Sequence, residues 1–118
     1  MDGIVQPSAG FLEMIVGPMW SGKTSRLLDL HAQYSVCGVP VIAINYAGDA
    51  ERGIETGMVR THDGREAGCY SARRLGDVPA DAVAAAAAVL VNEAQFFPDA
   101  LEWITNAVEE DGKRVHAA

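Results

Sequence analysis

The residues best suited to chemistry form a glycine-rich run near the N-terminus. It reads Gly17-Pro18-Met19-Trp20-Ser21-Gly22-Lys23-Thr24 and matches the pattern G-x-x-x-x-G-K-[ST] in full. In such a loop, backbone N–H groups surround phosphate oxygens, the lysine reaches the outer phosphates, and the Ser/Thr hydroxyl holds Mg²⁺. We therefore predict that this run binds a nucleoside triphosphate, with Thr24 on the metal. The alternative is a glycine-rich turn with a surface lysine.

A second candidate stretch follows an apolar run late in the chain, and it reads Asn92-Glu93-Ala94-Gln95-Phe96-Phe97-Pro98-Asp99. A phosphate loop needs an acidic group nearby to organise Mg²⁺ and to handle the proton of the attacking hydroxyl. Glu93 would lie at the carboxyl end of a strand, where open α/β sheets bind their ligands. We predict Glu93 and Lys23 as catalytic residues, and the alternative for Glu93 is a surface position in a loop.

The glycine-rich run can hold phosphates only between a strand and a helix. An almost continuous apolar run predicts a strand over residues 11–16, buried on both faces. A helix is predicted from the end of the loop to about Val36, with Gly38 as its terminating residue. Spacings of three and four define its inward face, which carries Leu27, Leu30, His31 and Tyr34.

The rest of the chain is predicted to alternate strands and helices. Strands are expected at 39–46, 58–61, 88–92 and from 113 onward, with helices at 79–86 and 98–111. The alanine tract before residue 92 leaves two alternatives, a low-complexity segment or a helix that continues to Leu90. Residues 47–57 are expected to be a loop and Asp63-Gly64 a turn. The inward face of the last helix is predicted to carry Leu101, Ile104 and Val108.

This alternation indicates an α/β fold, a P-loop NTPase-like parallel sheet flanked by helices. One nucleotide-binding domain is expected over residues 11–118, after a flexible tail at 1–10. The net charge of −7 argues against binding to nucleic acid or to anionic membranes. No run approaches the roughly 18 apolar residues of a membrane span. No secretory signal is visible, so we expect a cytoplasmic protein with reduced Cys37 and Cys69. Two cysteines cannot supply a four-ligand structural zinc site, so no zinc is expected.

Three stretches together resemble the cytoplasmic (type II) thymidine kinases: GPMWSGKT at 17–24, THDG at 61–64 and VNEAQFFPD at 91–99. The resemblance covers about residues 11–116. It implies transfer of the γ-phosphate of ATP to the 5′-hydroxyl of thymidine or deoxyuridine in DNA precursor salvage. ATP and Mg²⁺ are the implied cofactors, and the full-length family implies a homo-oligomer.

The resemblance also implies roles for individual residues. Glu93 would be the general base, Met19 and Phe96 would pack against the thymine ring, and Asp63 would approach the active site. Thr24 would hold Mg²⁺ through the nucleotide, and Gln95 would lie beside it. The implied nucleotide-binding set is Gly17, Pro18, Met19, Trp20, Ser21, Gly22, Lys23, Thr24, Asn92, Glu93, Ala94 and Gln95.

The chain departs from the family pattern in two places. Asn92 replaces the usual aspartate beside Glu93, and its missing charge is expected to weaken the metal site. Family members also continue with a loop over the thymidine base and a zinc domain on four cysteines, whereas this chain ends in a strand expected near the centre of the sheet. We therefore expect an incomplete domain that binds ATP better than it phosphorylates thymidine. The alternatives are an ATPase, in which Glu93 activates water, and an inactive or folding-defective remnant.

Overall fold

The computed structural model describes residues 10–16, 23–46, 55–60 and 66–118. Three helices are found in these ranges: α1 (Lys23–Val36), α2 (Ala80–Ala85) and α3 (Ala100–Glu109). Short 3₁₀ turns cover Leu75–Asp77 and Ala94–Phe96. The strands are β1 (Phe11–Met14), β2 (Val41–Tyr46), β3 (Glu55–Arg60), β4 (Glu66–Ala72), β5 (Ala88–Asn92) and β6 (Arg114–Ala117).

The described strands form one sheet in the order β1-β6-β5-β2-β4-β3. All neighbours are parallel except β3, which runs antiparallel to β4. A mainly parallel sheet with helices confirms the predicted α/β fold. The last strand was expected near the centre, and β6 does lie inside the sheet, between β1 and β5.

Helix α1 follows its predicted pattern and ends at Val36. Leu27 and Leu30 are buried, and His31 and Tyr34 are half-buried, so the predicted inward face is confirmed. Gly38 has a φ of 76°, in the left-handed region where glycine commonly terminates helices. The chain then turns into β2, because the N–H of Val39 donates to the carbonyl of Tyr34 at 2.9 Å.

The centre of the core is β5, whose first four residues are all buried. On one face, Val89 and Val91 pack in a cluster with Ile104 and Ala107 of α3. On the other face, Leu90 packs in a cluster with leucines of α1. Helices on both faces explain why this strand is apolar throughout. Helix α2 and β5 lie where the sequence predicted them, and the helix does not continue to Leu90.

Strand β1 is not buried on both faces, as its apolar run had predicted. Phe11, Leu12 and Met14 are 47%, 44% and 57% exposed. Within the described chain β1 pairs only with β6, at the margin of the sheet. An apolar run identifies a strand but not how many neighbours it has, so the prediction of burial was wrong.

On the other side of the sheet the strand predicted at 58–61 corresponds to β3, but one prediction was wrong and one strand was missed. The loop expected over 47–57 gives way to β3, which already begins at Glu55, while residues 47–54 lie outside the described ranges. Strand β4 was not predicted at all. Its sequence, EAGCYSA, has weak strand propensity, but β2 and β3 pair with it on either side and supply backbone hydrogen bonds. The turn at Asp63-Gly64 also lies outside the described residues.

The inward face of α3 differs from the prediction at one position. Ile104 is buried and Val108 is half-buried, but Leu101 is 84% exposed. The buried and half-buried positions follow an i, i+3, i+4, i+7, i+8 pattern made by Ala100, Trp103, Ile104, Ala107 and Val108. Leu101 falls outside this stripe: its spacing of three from Ile104 had assigned it to the inward face, but Ala100 occupies that face instead. Gly112, with a φ of 65°, follows the helix as predicted.

Candidate functional site

The carboxyl ends of β1, β6 and β5 meet at one edge of the sheet. The N–H of Ile15 donates to Ala117 at 2.7 Å, and the N–H of Ala118 donates to Val91 at 2.8 Å. The N–H of Ala94 in turn donates to the carbonyl of Ala118 at 2.8 Å. The connection from β1 to α1 starts at this edge, where β5 also ends. Since one strand separates β1 from β5, these two strands are about 10 Å apart.

Residues 17–22 lie outside the described residues, and so do the side chains of Lys23 and Thr24. The described backbone shows the elements on either side of this run: β1 ends at Met14 and α1 begins at Lys23. This is the strand, connection and helix that a phosphate loop requires. The first N–H groups of α1 and its dipole favour an anion at this helix end.

Glu93 follows β5 directly and has a strained backbone. Its φ of 59° and ψ of 44° lie in the left-handed region, and no other non-glycine among the described residues has a positive φ. Such a conformation costs about 1–3 kcal/mol for a side chain of this kind and is concentrated at functional sites. The bond from Ala94 to Ala118 and the bond from the N–H of Phe96 to the Glu93 carbonyl, 3.1 Å, hold the turn. The turn leaves the Glu93 side chain exposed at the strand edge.

Asn92 has a partner that the sequence did not reveal. It lies opposite Asn45 in the pairing of β5 with β2, and its Nδ2 donates to Asn45 Oδ1 at 3.0 Å. Donation through Nδ2 leaves Asn92 Oδ1 available as an acceptor. A polar residue near the end of β2 was the only signal for Asn45, and strand order was needed to place it beside Asn92.

An aromatic cluster lies beyond Glu93. Phe96 is 54% exposed, and its ring lies 5.5 Å from that of Tyr46 at an interplanar angle of 32°. Tyr46 also contacts the buried Phe97 edge-on, with ring centroids 5.3 Å apart. The cluster presents the Phe96 ring to solvent three residues after Glu93. Tyr46 was not among the predicted site residues, because only the β2–β5 pairing brings it here.

Asp99, at the end of the motif, has a structural role. Its two carboxylate oxygens accept the N–H groups of Leu75 and Gly76, each at 2.9 Å. Such charge-assisted bonds fix the start of α3 against the 3₁₀ turn at 75–77. The segment from Glu93 to Asp99 is therefore held at both ends.

The remaining predicted residues are placed as follows. Ala94 is buried, with its N–H bonded to Ala118, and Gln95 is exposed. Gln95 also lines an apolar groove of about 550 Å³ between β1 and α3. Gly17, Pro18, Met19, Trp20, Ser21, Gly22 and Asp63 lie outside the described residues.

Three further observations concern metal ligands, disulfides and membrane spans. In the described ranges, no group of three or more His, Cys, Asp or Glu side chains is arranged to hold a metal ion. Cys37 and Cys69 form no disulfide. None of the described helices has both the length and the apolar character to cross a bilayer.

Comparison with known proteins places this site in a family. The family model for thymidine kinase matches residues 10–118, which is nearly the whole chain. The chain belongs to the thymidine kinase family. Both the glycine-rich run and the Glu93 segment lie inside the matched range, so the resemblance inferred from those motifs is confirmed.

Individual thymidine kinases of poxviruses show the same likeness. The chain is 32% identical over 111 residues to thymidine kinases of variola virus, monkeypox virus and vaccinia virus (strain Western Reserve). The match covers 94% of this chain and 60% of each of those kinases. The chain thus spans about three fifths of the length of these relatives.

Proposed function

We propose that the chain binds Mg·ATP through residues 17–24 and transfers the γ-phosphate to the 5′-hydroxyl of thymidine or deoxyuridine. The observation that carries the proposal is the position of Glu93, strained and exposed at the end of β5, one strand away from the β1–α1 connection. Both halves of a phosphoryl-transfer site then open on the same crevice. The work proposed for the protein is salvage of DNA precursors in the cytoplasm.

The nucleotide half rests on the sequence of the loop and the backbone around it. Lys23 would neutralise charge on the outer phosphates, and the α1 N-terminus would add its dipole. Gln95, three residues after Asn92, would lie at the rim of this half. Met19 and Asp63 are assigned to the nucleoside side of the crevice by the family resemblance.

Mg²⁺ fits the donor set at the strand end. Glu93 offers a carboxylate and Asn92 a carbonyl oxygen, and hard oxygen donors are the ligands Mg²⁺ prefers. Thr24 would hold the ion from the phosphate side. When bound with ATP, the ion supplies charge neutralisation on the β- and γ-phosphate oxygens. Asn92 contributes no charge, so the nucleotide phosphates would dominate the binding of the ion, and the Glu93 carboxylate would remain available as a base.

The acceptor half is built around Glu93 and Phe96. As general base, the Glu93 carboxylate must come within about 2.6–3.2 Å of the 5′-hydroxyl and take its proton during transfer. The exposed Phe96 ring, backed by Tyr46, suits the flat face of a pyrimidine.

The proposal is tested by assaying ADP formation with and without thymidine, and Mg·ATP binding by calorimetry. We expect binding by the parent chain and a thymidine-dependent increase in ADP formation that Glu93→Gln abolishes while ATP affinity is kept. Lys23→Ala should abolish binding. ATP hydrolysis indifferent to thymidine would instead identify an ATPase, and absence of binding by a folded chain would identify a remnant; either result overturns the proposal.

A further inference from the structure

Four side chains outside the proposed reaction site form a connected polar network. It joins β1, β6 and α1 and consists of Glu13, Arg26, Tyr34 and His116. His116 Nδ1 lies 2.7 Å from Glu13 Oε1, and His116 Nε2 lies 2.7 Å from the Tyr34 hydroxyl. Arg26 donates to both Glu13 oxygens, at 3.3 and 3.4 Å.

The hydrogen-bond pattern fixes the orientation of His116. An ionised carboxylate only accepts hydrogen bonds, so Nδ1 carries the proton toward Glu13. In a neutral imidazole Nε2 is then the acceptor, and the Tyr34 O–H donates to it. The bonds from His116 and Arg26 hold the pKa of Glu13 below its usual range. Both ring nitrogens of His116 are therefore satisfied.

His116 is enclosed rather than available to solvent. Its side chain is 4% exposed, against 30% for Glu13. The rings of Phe11 and Tyr34 lie 5.5 and 5.6 Å from the imidazole, both tilted. A buried, doubly bonded and packed histidine serves to hold its partners in place, and it has no open side on which to meet a substrate.

The position of the network relative to the phosphate loop gives it a function. Glu13 lies four residues before Gly17, and Arg26 lies two residues after Thr24. The network therefore spans the two ends of the loop, one on β1 and one on α1. The end of β1 is poorly buried, since Leu12 and Met14 are exposed. The hydrogen bonds of the polar network must therefore supply part of the stability that packing does not give this strand end.

We propose that Glu13 and Tyr34, joined through His116, are positioning residues that set β1 and α1 at the separation the phosphate loop needs to bind nucleotide. The inference rests on the proposed function, because it assigns the network to the nucleotide half of that site. Backbone amides stabilise phosphate charge only when their geometry is fixed before the ligand arrives. The network acts through the two loop ends, and the proposal assigns none of its members a contact with ATP.

The test compares Glu13→Ala, Glu13→Gln and Tyr34→Phe with Gln33→Ala, a control on the exposed side of α1. Mg·ATP affinity is measured by calorimetry at a temperature where circular dichroism shows each variant folded. We expect Glu13→Ala to bind about tenfold more weakly, the size of one lost charge-assisted hydrogen bond. Glu13→Gln keeps an acceptor and should recover about a third of the parent affinity. Tyr34→Phe should lose about threefold and Gln33→Ala nothing.

Hydrogen exchange without nucleotide provides the second readout. Loss of the network should speed the hydrogen exchange of α1 amides and leave the exchange of α3 amides unchanged. Faster exchange in both helices, or ATP affinity within twofold of the parent for Glu13→Ala, would reduce the network to general stability and overturn the inference. If the parent chain binds no ATP, the proposed function fails. The inference fails as well only if the hydrogen exchange of α1 amides in Glu13→Ala equals that of the parent chain.

Discussion

Strands β5 and β1 carry similar apolar sequences and lead to the two halves of the proposed site, but they are held by different forces. The first four residues of β5 are buried between α1 and α3. Strand β1 lies at the margin of the described sheet with three of its four residues exposed. Glu93 therefore follows a core strand, whereas the predicted phosphate loop follows a strand held by backbone pairing and by the polar network of Glu13, Arg26, Tyr34 and His116.

The largest test of this contrast removes the same side chain from each strand. Leu90 is 1% exposed, so Leu90→Ala should lower the free energy of unfolding by about 2–5 kcal/mol. Leu12 is 44% exposed, so Leu12→Ala should cost less than about 1 kcal/mol. Urea denaturation measures both. Equal losses of unfolding free energy in the two variants would show that β1 is as deeply packed as β5 and would contradict the proposed difference between the strands.

A smaller effect is expected at the end of β5. Glu93→Gly should relieve the left-handed strain and raise the free energy of unfolding by about 1 kcal/mol, while thymidine-dependent turnover disappears. Denaturation and the ADP assay together check this. Glu102→Gly is the matched control, because Glu102 is exposed in α3 without a positive φ, and this change should instead lower the free energy of unfolding by about 0.5–1 kcal/mol. A destabilised Glu93→Gly chain would mean that the turn is not strained at this residue.

A third test concerns Asn92, at the end of β5 where Mg²⁺ is proposed to bind. Asn92→Asp adds a charge beside Glu93, and the amide of Asn45 can reorient to donate to it. The Mg²⁺ concentration for half-maximal ATP binding should fall about threefold, within the range of an added partly solvated charge. Asn45→Ala is the matched control for loss of the pair without a new charge. An unchanged Mg²⁺ titration would show that position 92 is not coupled to the metal.

The smallest expected effect is the loss of the Glu13 contribution to stability at acidic pH. Because the pKa of Glu13 is lowered in the folded chain, chiefly by the bond from His116, its contribution to stability is present above the ordinary glutamate pKa and is lost as pH falls through the folded value. Stability of the parent chain should therefore fall more steeply below about pH 4.3 than that of Glu13→Gln. Urea midpoints measured across acidic pH test this, and parallel curves would contradict it.

Much of the site followed from local sequence, and what was missed depends on strand order. The loop motif, α1, β5 and the place of Glu93 were readable because each is set by spacing within one segment. Asn45 and Tyr46 were not, because they join the site only through the pairing of β2 with β5. The exposure of Leu12 was missed because apolar character does not reveal how many neighbours a strand has. Leu101 was misassigned because the alanines of α3 were not counted as inward positions.

The central claim is that the phosphate loop and Glu93 face one crevice. The most direct measurement is paramagnetic broadening of backbone amide NMR signals by Mn²⁺·ATP, which substitutes for Mg²⁺·ATP. We expect strong broadening at the start of α1 and over Glu93–Gln95. Ala88 and Arg114, at the opposite edge about 13 Å along β5, should be broadened much less. Equal broadening at Ala88, or none at Glu93 while α1 is affected, would contradict it.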